Sequence, residues 1–213
     1  MITRFILAST MLVAAGAAQA VTVTSTAFGA VPAGQHVIDS FEHAVGGIAL
    51  SGDYDISKTS IAGFRAAPAG DTTNYLSTPK ATSATPGSAT IDLTGFLSTR
   101  KTTKFSFYWG SIDKYNTLTL IGTGLTGPTT FSGSDINNPA NGDQSAAATN
   151  RFVTFTLGAG EKLTGINLTS TSRAFEIDNL ATNVPEPATW ALMLVGFGLV
   201  GGAVRARSRA VAA

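Results

Sequence analysis

Both histidines of the chain lie beside two carboxylates within one stretch of eight residues. His36, Asp39, Glu42 and His43 are residue types that bind metal ions. In a strand, however, His36 and Glu42 fall on one face while Asp39 and His43 fall on the other. A metal site here would need further ligands from elsewhere in the chain. The favoured interpretation is a set of polar residues on the surface or at a strand end.

A second stretch is rich in oxygen ligands. Residues 135–143 contain two aspartates and three asparagines, which supply the hard oxygens that Ca²⁺ prefers. The order departs from that of an EF-hand, because Pro139 occupies a ligand position and Gly142 comes late. Asp and Asn are also favoured in turns, where they bond to nearby backbone. Turn formation is therefore the favoured interpretation.

Sequence patterns typical of enzymes are weak. Residues 122–127 match G-x-G-x-x-G, but Pro128 follows where a dinucleotide-binding helix would begin. A glycine-rich connection is favoured. The G-x-S-x-G motif of serine hydrolases is absent. Because the chain has no cysteine, a cysteine nucleophile is excluded. A serine triad or a carboxylate pair assembled in space stays open. We predict a protein that is not an enzyme. A secreted hydrolase is kept as the third and least favoured function, after the two non-catalytic functions given below.

Aromatic residues are the candidates for binding sugar. Residues 102–109 alternate, so that Phe105, Phe107 and Trp109 share one face and Tyr108 lies on the other. The Phe face is the expected core face, which places Trp109 in the core. Tyr108 and the nearby Tyr115 are the candidates for stacking on a sugar ring.

The N-terminus predicts a signal peptide. Arg4 precedes an apolar stretch at residues 5–15, and Ala18, Gln19 and Ala20 give a small-x-small cleavage signal. We place cleavage after Ala20, so residues 1–20 form a signal helix that is removed.

The C-terminus predicts a membrane segment. Residues 190–204 carry no charge and would span roughly 22 Å as a helix. That is short for a permanent anchor across a hydrocarbon core of about 30 Å. Arg205, Arg207 and Arg209 follow and prefer the cytoplasmic side, which puts the bulk of the chain outside the cytoplasm.

The domain between these ends is mildly acidic. Of the 14 basic residues, Arg4 and the three tail arginines lie outside residues 21–183, and of the 13 acidic residues only Glu186 does. The remaining ten bases and twelve acids give a net charge of −2, with no basic cluster to suggest nucleic acid. The absence of cysteine means that the domain relies on its core for stability. Its Thr, Ser, Gly and Asn content is typical of an extracellular β protein.

Short strand-like segments recur along this domain, and no window shows a helical period. We predict an all-β fold, a β-sandwich of jelly-roll type, with long loops at residues 67–87 and 132–150. The predicted strands are residues 21–28, 35–42, 61–66, 89–96, 102–109, 115–121, 151–157, 162–169 and 173–180.

The order of residues at the C-terminus carries a resemblance to a known family. Pro185, Glu186, Pro187, Trp190 and Ala191 precede the glycine-rich apolar segment and the arginines. This arrangement resembles the PEP-CTERM sorting signal of Gram-negative bacteria, here residues 184–213. A plain tail anchor would account for the apolar segment and the arginines, but not for the Pro-Glu-Pro-x-x-Trp-Ala order.

The resemblance implies a route and a set of partners. The secretion machinery would export the chain, and an exosortase would recognise the motif and remove the C-terminal helix. The protein would be in the inner membrane transiently and then at the cell surface or outside the cell. Bacteria with this system commonly make exopolysaccharide and biofilm. This favours a structural or adhesive surface or matrix protein, with a carbohydrate-binding module as the alternative.

Residues 175–180 carry a weaker resemblance, to the closing strand of carbohydrate-binding jelly rolls. In some of those proteins Ca²⁺ lies near an acidic residue of the first strand, which implies a calcium site at Asp39, Glu42, Asp178 and Asn179. The plainer interpretation sends Phe175 and Ile177 into the core, and Glu176 and Asp178 to solvent or a turn.

Overall fold

The computed structural model describes residues 20–183, 193 and 195–199. Residues 193 and 195–199 are helical. Among the described residues, no helix is long and apolar enough to cross a membrane. Residues 1–19 of the predicted signal helix and most of the predicted sorting segment lie outside the described residues. So do the sorting and tail residues Pro185, Glu186, Pro187, Trp190, Ala191, Arg205, Arg207 and Arg209.

β-Strands are the predominant secondary structure of residues 20–183, which confirms the all-β prediction. Two antiparallel sheets contain twelve strands, and two short helices lie between strands. The elements are β1 Thr22–Ala27, β2 His36–Asp39, β3 Ala49–Gly52, β4 Asp55–Ser57, β5 Tyr75–Thr78, β6 Gly87–Asp92, α1 Thr94–Leu97, β7 Lys104–Gly110, β8 Asn116–Thr123, β9 Thr130–Ser132, α2 Gly133–Ile136, β10 Arg151–Thr156, β11 Lys162–Ser170 and β12 Phe175–Thr182.

The chain passes back and forth between the two sheets. The larger sheet has the order β1-β10-β7-β12-β5-β4, with β2 also paired to β12. The smaller sheet has the order β3-β6-β11-β8-β9. From β5 to β12 every connection changes sheet except the β8–β9 hairpin. The last strand, β12, lies in the middle of the larger sheet, between β7 and β5.

The core lies between the sheets and follows the predicted alternation. Phe105, Phe107 and Trp109 of β7 all belong to the buried cluster, as do alternate residues of β10. The Trp109 ring stacks on Phe175 of β12, with 4.2 Å between ring centroids and 12° between planes. Burying aromatic side chains of this size is a large favourable term in folding.

The opposite face of the larger sheet is buried as well, which corrects one prediction. Tyr108 is fully buried and cannot stack on a sugar. Its ring stacks on Phe28, with 4.3 Å between centroids, and its hydroxyl donates to the Ala69 carbonyl at 2.5 Å. The reason is that residues 58–74 lie across this face. At Gly110 they approach so closely that an added Cβ would be 2.7 Å from the Pro68 Cβ.

Several predicted boundaries were also wrong. Residues 61–66 form a tight turn with one isolated bridge between Ile61 and Arg65, where a strand was expected. The expected loop at 67–87 contains β5, whose four residues are all buried and show no alternation. Strands covered on both faces lack the period of two on which the prediction depended. The expected strand at 89–96 ends at Asp92, and α1 follows.

Candidate functional site

A cleft of about 460 Å³ opens where residues 60–66, the β7–β8 turn, residues 142–144 and the start of β12 meet. A volume of this size lies within the range of small-ligand sites. Its polar and aromatic lining includes Phe64, Asp113, Tyr115, Gln144, Arg173 and Glu176. The cleft thus includes Tyr115, one of the two predicted sugar-binding residues, but not Tyr108.

Glu176 of β12 lies at the floor of the cleft and is only 2% exposed. Its Oε1 accepts a hydrogen bond from the Ala66 amide at 2.9 Å, and its Oε2 accepts one from the Ser111 hydroxyl at 2.8 Å. Burial raises the pKa of Glu176 to about 7, although these two hydrogen bonds oppose the rise. The side chain links the covering loop to β12 and the end of β7.

Asp113 lines the cleft from the β7–β8 turn and is half-buried. Gly142 lies against this carboxylate. A Cβ added to Gly142 would be 1.9 Å from Asp113 Oδ2, and Gly142 has a φ of +67°. Glycine is therefore required at position 142 both for space and for backbone conformation.

Aromatic surface lines the same cleft. Phe64 is 39% exposed, and the Arg173 guanidinium lies over its ring at 4.7 Å from the centroid. The Tyr115 hydroxyl donates to the Arg173 carbonyl at 2.5 Å. Burial, together with the nearby Asp113 carboxylate, raises the pKa of Tyr115 well above its usual value. The ring of Tyr115 is thereby held in one position at the cleft.

The two arginines of the cleft hold the loops in place. Arg65 Nη1 is 2.6 Å from Asp55 Oδ2, and Arg65 Nη2 donates to the Ser57 hydroxyl. Arg173 Nη1 donates to the Lys80 carbonyl at 2.9 Å. Because their N–H groups are used in this way, the groups left for a ligand are chiefly the aromatic rings, the Asp113 carboxylate and the Gln144 amide. That combination suits an uncharged, hydroxyl-rich ligand.

A second buried carboxyl group lies two residues along β12. The Thr73 hydroxyl lies 2.6 Å from Asp71 Oδ1 and 2.9 Å from Asp178 Oδ2. One hydroxyl hydrogen can serve only one of these oxygens. Asp71 Oδ2 and Asp178 Oδ1 are buried without a donor. Burial, and then the neighbouring Asp71, raise the pKa of Asp178 to about 8, so that a carboxyl proton is retained here at neutral pH.

The four residues implied as a calcium site lie on β2, β12 and the segment after β2, but they do not form a cluster of metal-binding carboxylates. Asp39 accepts a hydrogen bond from the Phe41 amide, and burial raises its pKa. Glu42 accepts from the Asn74 amide, while Asn179 donates to Asp178. Within the described residues, no group of three or more His, Asp or Glu side chains could hold a metal ion. The residues present do not fit the calcium site that the resemblance implied.

The other candidate motifs form turns and connections. Asp135 Oδ2 accepts hydrogen bonds from the Ser132 amide and hydroxyl, and Asp143 Oδ1 accepts from the Ser145 amide. These bonds lower the pKa of both aspartates. Residues 122–127 form the end of β8 and the turn before β9. His36 and His43 are exposed and do not line the cleft.

Sequence reasoning missed the residues that assemble the cleft. Glu176 and Asp178 were expected at the surface or in a turn and are instead buried, whereas Phe175 and Ile177 reach the core as predicted. Asn150 was not singled out. Its Oδ1 accepts from the amides of Ala69 and Ser111, so it joins the covering loop to the sheet. No local pattern distinguishes this asparagine from a loop residue.

Comparison with known protein families identifies the C-terminal sorting motif. Residues 183–209 match the family model of the PEP-CTERM protein-sorting motif. The motif marks the chain as an exported protein that an exosortase sorts to the cell surface. No curated protein and no solved structure matches the chain.

The two raised carboxyl pKa values predict a stability that falls as pH rises. Unfolding exposes Glu176 and Asp178 and returns their pKa values to about 4, so the unfolded chain binds fewer protons between pH 5 and 8. The free energy of unfolding should therefore decrease across this window and level off above about pH 9, where both carboxyls are ionised in the folded state. For Glu176 alone the expected loss is about 3 kcal/mol. Urea denaturation followed by circular dichroism at pH 5, 6.5 and 8.5 measures it.

Two neutral substitutions should remove this dependence. The double variant Glu176→Gln and Asp178→Asn should unfold with nearly the same free energy at pH 5 and at pH 8.5. The matched control is Asp92→Asn, which removes an exposed carboxyl whose pKa is lowered and should leave the slope intact. A wild-type protein that is more stable at pH 8.5 than at pH 5 would contradict the assignment.

Proposed function

We propose, on the premise that the chain carries a PEP-CTERM sorting motif, that it is a non-catalytic surface or matrix protein. Its signal peptide directs export, its apolar tail holds it transiently in the inner membrane, and an exosortase then cuts near residues 185–187. The product has a structural or adhesive role linked to exopolysaccharide or biofilm. The observation that carries the proposal is the motif match, which begins at residue 183, directly after β12.

The position of the motif supports processing without damage to the domain. Asn183 is the last residue of the continuous described region, and its amide nitrogen donates to the Lys104 carbonyl at 3.3 Å. A cut a few residues later leaves every strand of both sheets in the product. This supports the division into a signal peptide at 1–20, an exported domain at 21–183 and a sorting segment at 184–213.

The cleft chemistry supports a non-catalytic role over a hydrolase. A carboxyl with a pKa near 7 beside a second carboxylate is a pattern found in general acid catalysis. Here, however, both oxygens of Glu176 accept hydrogen bonds from the protein itself. A general acid must have its proton directed at a substrate. Glu176 is better suited to holding the covering loop.

The strand order supports the jelly-roll form of the sandwich. Four neighbouring strands of the larger sheet run β10-β7-β12-β5, and four of the smaller run β6-β11-β8-β9. This is the order expected when eight strands wind as two interleaved Greek keys over two sheets. In this proposal β1 to β4 are additions at the sheet edges and beside β12.

A second candidate function, carbohydrate binding, is favoured by the cleft. Tyr115 and Phe64 line the cleft with aromatic surface, and Asp113 offers a carboxylate acceptor for sugar hydroxyls. Aromatic faces with a few placed polar groups are typical of small-ligand sites. An exopolysaccharide unit is the ligand that would link this function to the cell surface.

The sorting proposal predicts the outcome of a triple substitution. Pro185→Ala, Glu186→Ala and Pro187→Ala together should leave an unprocessed form in the membrane fraction, because the exosortase no longer recognises the motif. Thr189→Ala, within the same segment but outside the named motif residues, is the matched control and should be processed. Intact mass of the wild-type surface protein reads out the cut. A surface protein that retains residues beyond Trp190 would show that processing does not occur.

The cleft proposal predicts a loss of glycan binding. Tyr115→Ala should weaken the affinity for a glycan found on an array by about tenfold or more, equivalent to about 1.4 kcal/mol. Asp113→Asn, which preserves the fit against Gly142, should have a similar effect. Lys114 lies between these two residues, is exposed and does not line the cleft. The control variant Lys114→Ala should therefore bind the glycan as the wild type does. Binding that is unchanged in Tyr115→Ala would rule out this site.

A further inference from the structure

The point at which the chain leaves the sandwich is fixed. The Asn183 side-chain oxygen accepts hydrogen bonds from the amides of Thr103 at 3.0 Å and Lys104 at 2.7 Å. Its side-chain nitrogen donates to the Thr103 hydroxyl at 2.8 Å. The hydroxyl of Thr182 also donates to the Lys104 carbonyl. The sorting segment therefore starts from one defined corner of the domain.

Positive charge is concentrated at this corner. Arg100, Lys101 and Lys162 line a cavity of about 650 Å³ together with Thr102 and Thr103, which are next to the exit point. Lys104 bonds directly to Asn183 through its backbone. All four basic side chains are exposed. We call Arg100, Lys101, Lys104 and Lys162 the exit face.

The exit face has little compensating negative charge. Within residues 20–183 the ion pairs are Lys58 with Glu42 and Arg65 with Asp55, and no carboxylate pairs with an exit-face cation. The two acids on this side are already engaged. Asp92 accepts from the Thr94 amide, and Glu161 accepts from the amides of Gly158 and Thr126.

The remainder of the domain has the opposite sign. The exit face has four basic residues, and two acidic residues, Asp92 and Glu161, lie on the same side of the domain. The rest of residues 21–183 has six basic and ten acidic residues. A domain of net charge −2 is thus polarised, with its positive end where the tail departs. A surface of one sign attracts a surface of the other sign within about a Debye length, roughly 8–10 Å.

The tail holds this face close to the membrane. Seven peptide links join Asn183 to Trp190, where the predicted apolar segment begins, and they span at most about 25 Å. Tethering at this range converts a weak contact into an intramolecular one with a high effective concentration. Basic residues next to a membrane segment are attracted to anionic headgroups.

From these observations we infer that the exit face binds the anionic phospholipid surface of the bilayer while the sorting segment still anchors the chain. This inference rests on the membrane anchoring in the proposed function. The contact would orient the domain with its exit corner, and hence the sorting motif, towards the membrane. A small basic patch alone binds membranes weakly, so removal of the tail should release the domain.

Lysine labelling tests this inference on the precursor, residues 21–213, reconstituted into vesicles. One set is phosphatidylcholine alone and the other contains 30% phosphatidylglycerol. Acetylation at low conversion followed by mass spectrometry gives a rate for each lysine. Lys101, Lys104 and Lys162 should be labelled at least threefold more slowly in the anionic vesicles, and 0.5 M NaCl should abolish the difference. Lys58 and Lys114 lie outside the exit face and serve as internal controls that should not change.

The possible outcomes distinguish a failure of the lipid contact from a failure of the proposed membrane anchoring. If the precursor floats with both kinds of vesicle but the exit-face lysines react at the same rate in both, the lipid contact is wrong and the anchoring stands. If the precursor does not float with neutral vesicles, the anchoring is wrong and the inference falls with it. If added alginate protects these lysines while phosphatidylglycerol does not, the face binds acidic polysaccharide and the lipid contact is overturned.

Discussion

The placement of β12 in the centre of the larger sheet is the constraint on which the rest of the structure depends. It pairs with β2, β5 and β7, so strands from the beginning, middle and end of the domain meet along it. One side of β12 supplies Phe175 and Ile177 to the core, and the other supplies Glu176 and Asp178 to the buried layer beneath residues 58–74. The sandwich can close only when the last strand is available.

The buried carboxyls follow from this arrangement. An antiparallel sheet commonly leaves one face to solvent, but here a loop layer covers the second face. The layer needs polar contacts because its backbone amides are buried, and Glu176 accepts one of them from Ala66. Burial without a cationic partner favours the protonated acid. We therefore expect the layer that forms the cleft to make the stability of the fold depend on pH.

Sequence patterns predicted those features that depend on local order. The alternation of Phe105, Phe107 and Trp109 indicated the core face of β7. The sorting motif at the C-terminus was recognised because its residues are contiguous in the sequence. Alternation cannot say whether the second face is covered, which is why Tyr108 and Glu176 were placed wrongly. The cleft is built from segments far apart in the chain, and among its lining residues only Tyr115 was predicted to bind sugar. Its other members, such as Gly142 and Phe64, become neighbours only through the order of the strands.

We propose that residues 21–183 form a complete domain that β12 closes and that folds without the sorting segment. The most direct test compares thermal unfolding of a chain ending at Asn183 with that of the precursor, residues 21–213, in detergent, and with that of a chain ending at Ser172, which lacks β12. We predict that the chain ending at Asn183 unfolds cooperatively at the same midpoint as the precursor, and that the chain ending at Ser172 shows no cooperative transition. A chain ending at Asn183 that fails to fold, or one ending at Ser172 that folds as well, would contradict the account.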